Sequence, residues 1–269
     1  MRHAAARAAP RVRLPAVAGS FYPEDPGELT AAVDEAIGEA PAGEPAPKAL
    51  IVPHAGYEYS GPIAGAGYAR LVPLRDVVRR VVLLGPAHRV PVAGLAVSSA
   101  DAFATPLGRV EVDRELRERV LAVPGVQVHD AAHAREHSLE VQLPFLQRVL
   151  ARFTILPLVV GDAEPGEVAA VLDAVWGGPE TLIVVSSDLS HYLDYETARR
   201  RDRATADAVV AGAGERIGDD DACGARPVRG LLAAAGRRGL AVRLLDLRSS
   251  GDTAGPRDEV VGYGAFAVG

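Results

Sequence analysis

The 269-residue chain carries seven histidines and a single cysteine, and three of the histidines occupy matching places. His54 follows the apolar run 49–52 within Pro53-His54-Ala55-Gly56-Tyr57. His88 follows the run 81–84 within Gly85-Pro86-Ala87-His88, and His191 ends Ser186-Ser187-Asp188-Leu189-Ser190-His191 after the run 181–185. Each run reads as a strand buried on both faces. Loops leaving the carboxyl ends of such strands meet in one crevice, where imidazoles can ligate a metal, move a proton or bind an anion. Asp188 precedes His191 by three residues, where a carboxylate can orient that ring and fix its tautomer; the competing reading is a simple turn cap. Cys223 lies in Asp221-Ala222-Cys223-Gly224-Ala225-Arg226-Pro227, just ahead of a predicted helix. The positive helix start and Arg226 favour the thiolate, the form that binds metals, although a lone cysteine can equally be a small buried apolar residue. His133-Ala134-Arg135-Glu136-His137 matches H-x-x-E-H, a zinc-peptidase signature that needs both histidines on one helix face and a distant carboxylate.

These residues need a scaffold, and the hydrophobic pattern supplies one. Helices are expected over 27–37, 62–71, 113–123, 165–175, 196–210 and 227–238. A further one over 138–153 should be kinked or started by Pro144. Pro62 suits a first helical turn, and Asp113 can cap the helix that follows it. Residues 41–47 read as a loop. Strands are expected over 49–52, 81–84, 95–98, 109–112, 154–160, 181–185, 240–247 and 260–268. Alternation of strands and helices predicts an α/β fold: a single domain with a mostly parallel or mixed central sheet and helices on both faces. No internal repeat or linker divides it.

Composition narrows the partners. The formal net charge of −6 provides no overall positive field for nucleic acid or an acidic membrane surface. No apolar stretch reaches the roughly 18 residues a membrane helix requires, so no membrane span is expected. One cysteine excludes an internal disulfide and points to a reducing, cytoplasmic setting. Residues 1–14 carry four arginines and no acid, and are expected to form a basic disordered tail ahead of a domain over 15–269.

Five segments resemble the MEMO family, known in bacteria and archaea as protein B of the AmmeMemoRadiSam system. They are Pro15-Ala16-Val17-Ala18-Gly19-Ser20-Phe21-Tyr22-Pro23, the stretch from Pro53 through His54-Ala55-Gly56-Tyr57-Glu58-Tyr59-Ser60 to Gly61, Glu136-His137-Ser138-Leu139-Glu140-Val141-Gln142-Leu143-Pro144-Phe145, the Ser186 to His191 segment, and Val260-Val261-Gly262-Tyr263-Gly264-Ala265-Phe266. The resemblance covers nearly the whole chain beyond the tail. It implies a fold similar to class III extradiol dioxygenases (LigB-like), which hold non-haem iron with two histidines and a glutamate. Carried over by motif, His54 and His88 look like metal ligands, Cys223 looks like a third ligand in place of the carboxylate, and His191 looks like the acid/base residue, helped by Asp188. A thiolate softens the site, so copper or zinc become credible beside the favoured Fe(II); His191 could then be a fourth ligand. Because the family motif begins at Glu136, His133 looks incidental. Tyr57, Tyr59, Ser187, Glu136 and His137 are the expected substrate contacts, with packing as the alternative role for the tyrosines.

The leading expectation is a metal-dependent redox enzyme, dioxygenase-like, acting on a small molecule or modified peptide. The resemblance adds a radical SAM protein and an AMMECR1-like protein as partners. The alternative is a non-catalytic adaptor that binds anions or phosphopeptides, and a zinc metallopeptidase is the third reading.

Overall fold

A computed structural model of the chain describes residues 9–39 and 45–269. Four parallel strands form its centre: β2 (Ala49–Val52), β9 (Thr181–Ser186), β3 (Arg80–Pro86) and β8 (Thr154–Val160), adjacent in that order. Their side chains alternate between two cores. Ala49 and Ile51, Val82 and Leu84, and Ile183 and Val185 face one side; Leu50 and Val52, Val81 and Leu83, and Leu182 and Val184 face the other. This period of two buries continuous apolar runs on both faces, which is why none of these four strands shows a polar stripe.

Antiparallel strands extend the sheet at both ends. β12 (Val260–Val268) pairs with β2, and β11 (Val242–Ser249) and β10 (His191–Leu193) pair with β12. On the far side β4 (Leu95–Val97) runs antiparallel to β8 and carries β7 (Val126–Val128). Helices α3 (Arg114–Leu121), α6 (Pro165–Val175), α7 (Tyr195–Val210) and α8 (Ala225–Gly236) contribute to one core. Helices α1 (Pro26–Ile37), α2 (Tyr57–Tyr68) and α5 (Leu143–Val149) contribute to the other. The expected single α/β domain with a mixed sheet covered on both faces is the fold observed.

Several local expectations change. The helix expected over 62–71 begins at Tyr57, and Pro62 lies inside it rather than in its first turn. Pro62 deprives the Glu58 carbonyl of its helical donor, a cost lessened because Glu58 is exposed to solvent. The helix expected over 138–153 is a 3₁₀ turn, Glu140–Gln142, followed by α5 with Pro144 in its first turn. Asp113 caps α3 as expected, accepting from Leu116 N at 3.0 Å. Of the segment expected to be a tail, residues 1–8 lie outside the described residues, as does part of the 41–47 loop. Residues 12–13 form β1 (Val12–Arg13), paired with β5 (Ala102–Thr105), which pairs in turn with β6 (Gly108–Glu111). Arg13 is buried against Glu140, a fixed position that a solvated basic tail would lack. No described helix is long and apolar enough to cross a membrane.

Candidate metal centre

Strands β2, β9 and β3 are neighbours in register, with Val52 opposite Ser186 and Leu84 opposite Val185. Their carboxyl ends therefore deliver His54, the Asp188 loop and His88 to one place. The His54 and His88 rings lie 5.1 Å apart edge to face, and His54 and His137 are 5.4 Å apart. Cys223 arrives from the segment before α8, its Sγ 3.3 Å from His54 Nε2. Gly224 permits this approach, because a Cβ there would meet the Ser187 Cβ at 2.6 Å. One ligand atom each from His54, His88 and Cys223 lies within 4.8 Å of the others.

The hydrogen bonds around this trio set the protons. Ser186 Oγ donates to the Ser138 carbonyl at 2.6 Å and accepts from Gln142 Nε2 at 2.8 Å. Its one proton is thus committed, so His54 Nδ1, 2.8 Å away, is the donor to it, and the lone pair of Nε2 faces Cys223. Burial, then the neighbouring His88 and His137, hold the His54 pKa far below the usual histidine value, so the ring is neutral. His88 Nδ1 is 2.9 Å from Glu136 Oε1, a carboxylate that can only accept, so Nδ1 is the donor and Nε2 is the ring nitrogen turned away from it. Imidazoles oriented by a hydroxyl and a carboxylate in this way are characteristic of metal ligands.

A second group, His88, Glu136 and His137, also brings ligand atoms together. Its carboxylate, however, already accepts from His88 N (2.7 Å), His88 Nδ1, His137 N (3.0 Å) and Ser138 N (3.0 Å). Burial pushes the Glu136 carboxyl up, but these donors outweigh it and bring it down to about 2. With its lone pairs used, Glu136 serves His88, and the His54, His88 and Cys223 set is the better metal site.

Several expected roles are altered by the geometry. Cys223 was expected to be a thiolate; instead burial, reinforced by the Asp188 carboxylate, pushes the thiol up, and Arg226 turns away to Asp162 and Asp219. A metal would have to displace that proton. Asp188 does not orient His191: its Oδ1 accepts from His54 N at 2.7 Å, and burial raises its carboxyl to about 7 against that bond. His191 lies outside both ligand groups and lines the neighbouring cavity; burial lowers its pKa. Ser187 is buried and accepts from Gly224 N at 2.9 Å, bracing the Cys223 segment instead of facing substrate. Tyr57 donates to the Val141 carbonyl at 2.6 Å and packs on Phe145, a structural role, whereas Tyr59 does line the cavity.

The peptidase pattern does not form. Helix α4 (Asp130–Ala134) ends before Glu136; His133 is buried with Nε2 3.0 Å from the Ala96 carbonyl, while His137 stacks on His88 with ring centroids 4.7 Å apart. The two histidines therefore point to different places.

A cavity of about 360 Å³ opens beside the trio, walled by Phe21, Tyr59, His137, His191, Tyr192 and Tyr263 among others. Phe21, Tyr192 and Tyr263 lie in or beside the sequence motifs, as do Ser186 and Gln142, and that place is the one sequence signal that marks them. Tyr192 is exposed and holds a positive φ of 57°, a left-handed conformation costly for a tyrosine. Phe21 is brought over His137 (4.7 Å) because Glu140, fully buried, accepts from Ala16 N, Val17 N and Tyr22 OH and pairs with Arg13.

Residues 13–267 match the family model described as Memo-like protein. Among curated relatives, a MEMO1 family protein of Aquifex aeolicus is 41% identical, with 94% of this chain and 97% of that protein covered. One from Methanosarcina barkeri is 37% identical, covering 96% and 100%. The crystal structure of the uncharacterized protein JW3007 from Escherichia coli K12 superposes with a TM-score of 0.51 at 13% identity over 80% of this chain and 98% of that one, a likeness of fold. With the family model spanning nearly all described residues and relatives matching end to end, the chain belongs to the Memo-like family.

Proposed function

We propose that this protein is a metal-dependent redox enzyme, or the metal-bearing component of one, acting on a small molecule or modified residue in the cavity beside Cys223. The observation that carries this reading is the convergence of two imidazoles, each oriented by a hydrogen bond at Nδ1, and one sulfur at the carboxyl edge of the sheet. His54, His88 and Cys223 would hold the metal, with Fe(II) favoured and copper or zinc as alternatives; bound there, it would supply Lewis acidity and, for iron or copper, electron transfer.

The chain's own residues have separable tasks. His88, with 27% of its side chain exposed, leaves the site open to a substrate, as catalytic metal sites require. Burial keeps the His191 ring neutral near pH 7, so it can take a proton from a substrate held in the cavity. Phe21, Tyr59 and Tyr263 form walls that exclude water and hold a flat or apolar group. The adaptor reading has less support, since the exposed Glu259 carboxylate lines the same cavity and would repel an anion. Joint action with a radical SAM protein and an AMMECR1-like protein follows from the family resemblance, and co-purification tests it.

The deciding experiment is metal analysis of protein purified without oxygen. Stoichiometric metal is expected in the wild type and in His133→Ala, and loss in His54→Ala and Cys223→Ala. Full metal content in both of the latter would overturn the assignment.

A further inference from the structure

Away from the metal centre, a cavity of about 460 Å³ lies between α7 and β11 and shares no lining residue with the one beside Cys223. Arg199, Arg200 and Arg203 project from the helix, and Arg248 stands on the strand side. Three carboxylates also line it, but each is engaged. Glu196 pairs with Arg199 at 3.3 Å, Asp202 accepts from Ser190 N at 3.0 Å, and Asp252 accepts from Tyr195 OH at 2.5 Å and Ser249 N at 2.9 Å. Of the four cations, Arg199 is paired with Glu196 and Arg248 is held by both carboxylate oxygens of Asp246 at 3.0–3.1 Å, while the other two are less committed. Arg200 reaches only Thr197 Oγ1, at 3.1 Å, and Arg203 makes no hydrogen bond or ion pair with any described residue.

Arginines on a helix surface are ordinarily just solvated. These differ in lining a concave space, one turn apart, with a further guanidinium on the opposite wall, in a chain whose net charge is −6. We propose that this groove binds the phosphate chain of a di- or triphosphate-bearing small molecule. Guanidinium groups match phosphate oxygens two at a time, and several arginines on two walls suit a run of linked phosphates better than a single carboxylate. Leu247 adds an apolar contact beside them, and the volume lies in the range of small-molecule sites. The site is independent of any metal at Cys223.

The test is calorimetric titration of the metal-free protein with tripolyphosphate, and in a second arm with ADP, at low ionic strength. One equivalent of tripolyphosphate is expected to bind. Arg200→Glu and Arg203→Glu, both exposed and so compatible with folding, should each weaken binding by about tenfold or more. Arg109→Glu makes the same change of net charge on the exposed face of β6 and should alter binding by less than about twofold. Tighter binding of ADP than of tripolyphosphate would identify a nucleotide as the source of the phosphates, and the reverse order a free polyphosphate. Absence of one-to-one binding to either probe, or equal weakening in Arg109→Glu, would overturn the proposal.

Discussion

Replacing Ser186 by alanine removes one fully buried oxygen and tests the proton assignment of the metal centre directly. That oxygen serves three groups: the Ser138 carbonyl at 2.6 Å, Gln142 Nε2 at 2.8 Å and His54 Nδ1 at 2.8 Å. Leaving a buried polar group unpaired costs about 1–3 kcal/mol. Gln142 keeps the Pro53 carbonyl and the Tyr68 hydroxyl, so most of the loss falls on the Ser138 carbonyl and the His54 ring, and a net loss of about 3 kcal/mol follows. For a domain of this size that lowers Tm by roughly 6–12 °C. The imidazole is also released to place its proton on Nε2, facing Cys223, and loss of such an orienting partner weakens metal binding by about 10–100-fold. Urea unfolding of the metal-free protein measures the first effect, and chelator competition on the folded protein the second. A variant that is destabilised as expected yet binds metal within about twofold of wild type would refute the tautomer argument, because the serine would then be only a structural bond.

Other outcomes follow from the same geometry. The Asp188 carboxyl, raised to about 7, keeps in the folded state a proton that the unfolded chain releases near its ordinary value of 3.8. Its contribution is therefore complete below about pH 4 and is lost as pH rises toward 7, so metal-free Asp188→Asn should gain stability relative to wild type across that window and level off above it in urea unfolding. Because burial pushes the Cys223 thiol up, metal binding must release its proton, and apparent affinity should rise at least about tenfold per pH unit between pH 6 and 8 in chelator competition. Glu140→Ala would strand buried Arg13 and the Tyr22 hydroxyl and cost about 3–5 kcal/mol in urea unfolding, with Phe21 leaving His137.

What the sequence revealed depends on which forces act locally. The central strands were legible to within a residue or two because each is an unbroken apolar run, and β8 and β12 matched their expected limits. From them followed the common edge and the grouping of His54 and His88, together with His191, which lies outside the ligand group; Cys223 was joined to the site only by the family resemblance. Features set by tertiary contact were not legible. β1 is two residues long and exists through β5, and the buried side of Arg13 depends on Glu140, 127 residues away. The helix start ahead of Cys223 suggested a thiolate, but a partial charge at a helix end is weaker than the penalty for burying a charged sulfur beside a carboxylate. Five residues spaced H-x-x-E-H implied one helix, and α4 ended before the pattern was complete.

The failed thiolate expectation bears on how the centre works. Each candidate ligand is held by a partner outside the trio: His54 by Ser186, His88 by Glu136, and Cys223 by Asp188 N at 3.3 Å together with the Ser187–Gly224 brace. Were a metal to bind there, the proton on Cys223 would be exchanged for the cation. The second carboxylate, Asp188, enters the same balance. Protonated near neutral pH it tolerates a neutral thiol beside it, and a cation would pull it toward its ionised form, adding a negative charge where the metal sits. Proton release on metal binding should on this account exceed one per chain below pH 7 and fall toward one in Asp188→Asn, which measurement in two buffers of different ionisation enthalpy would resolve.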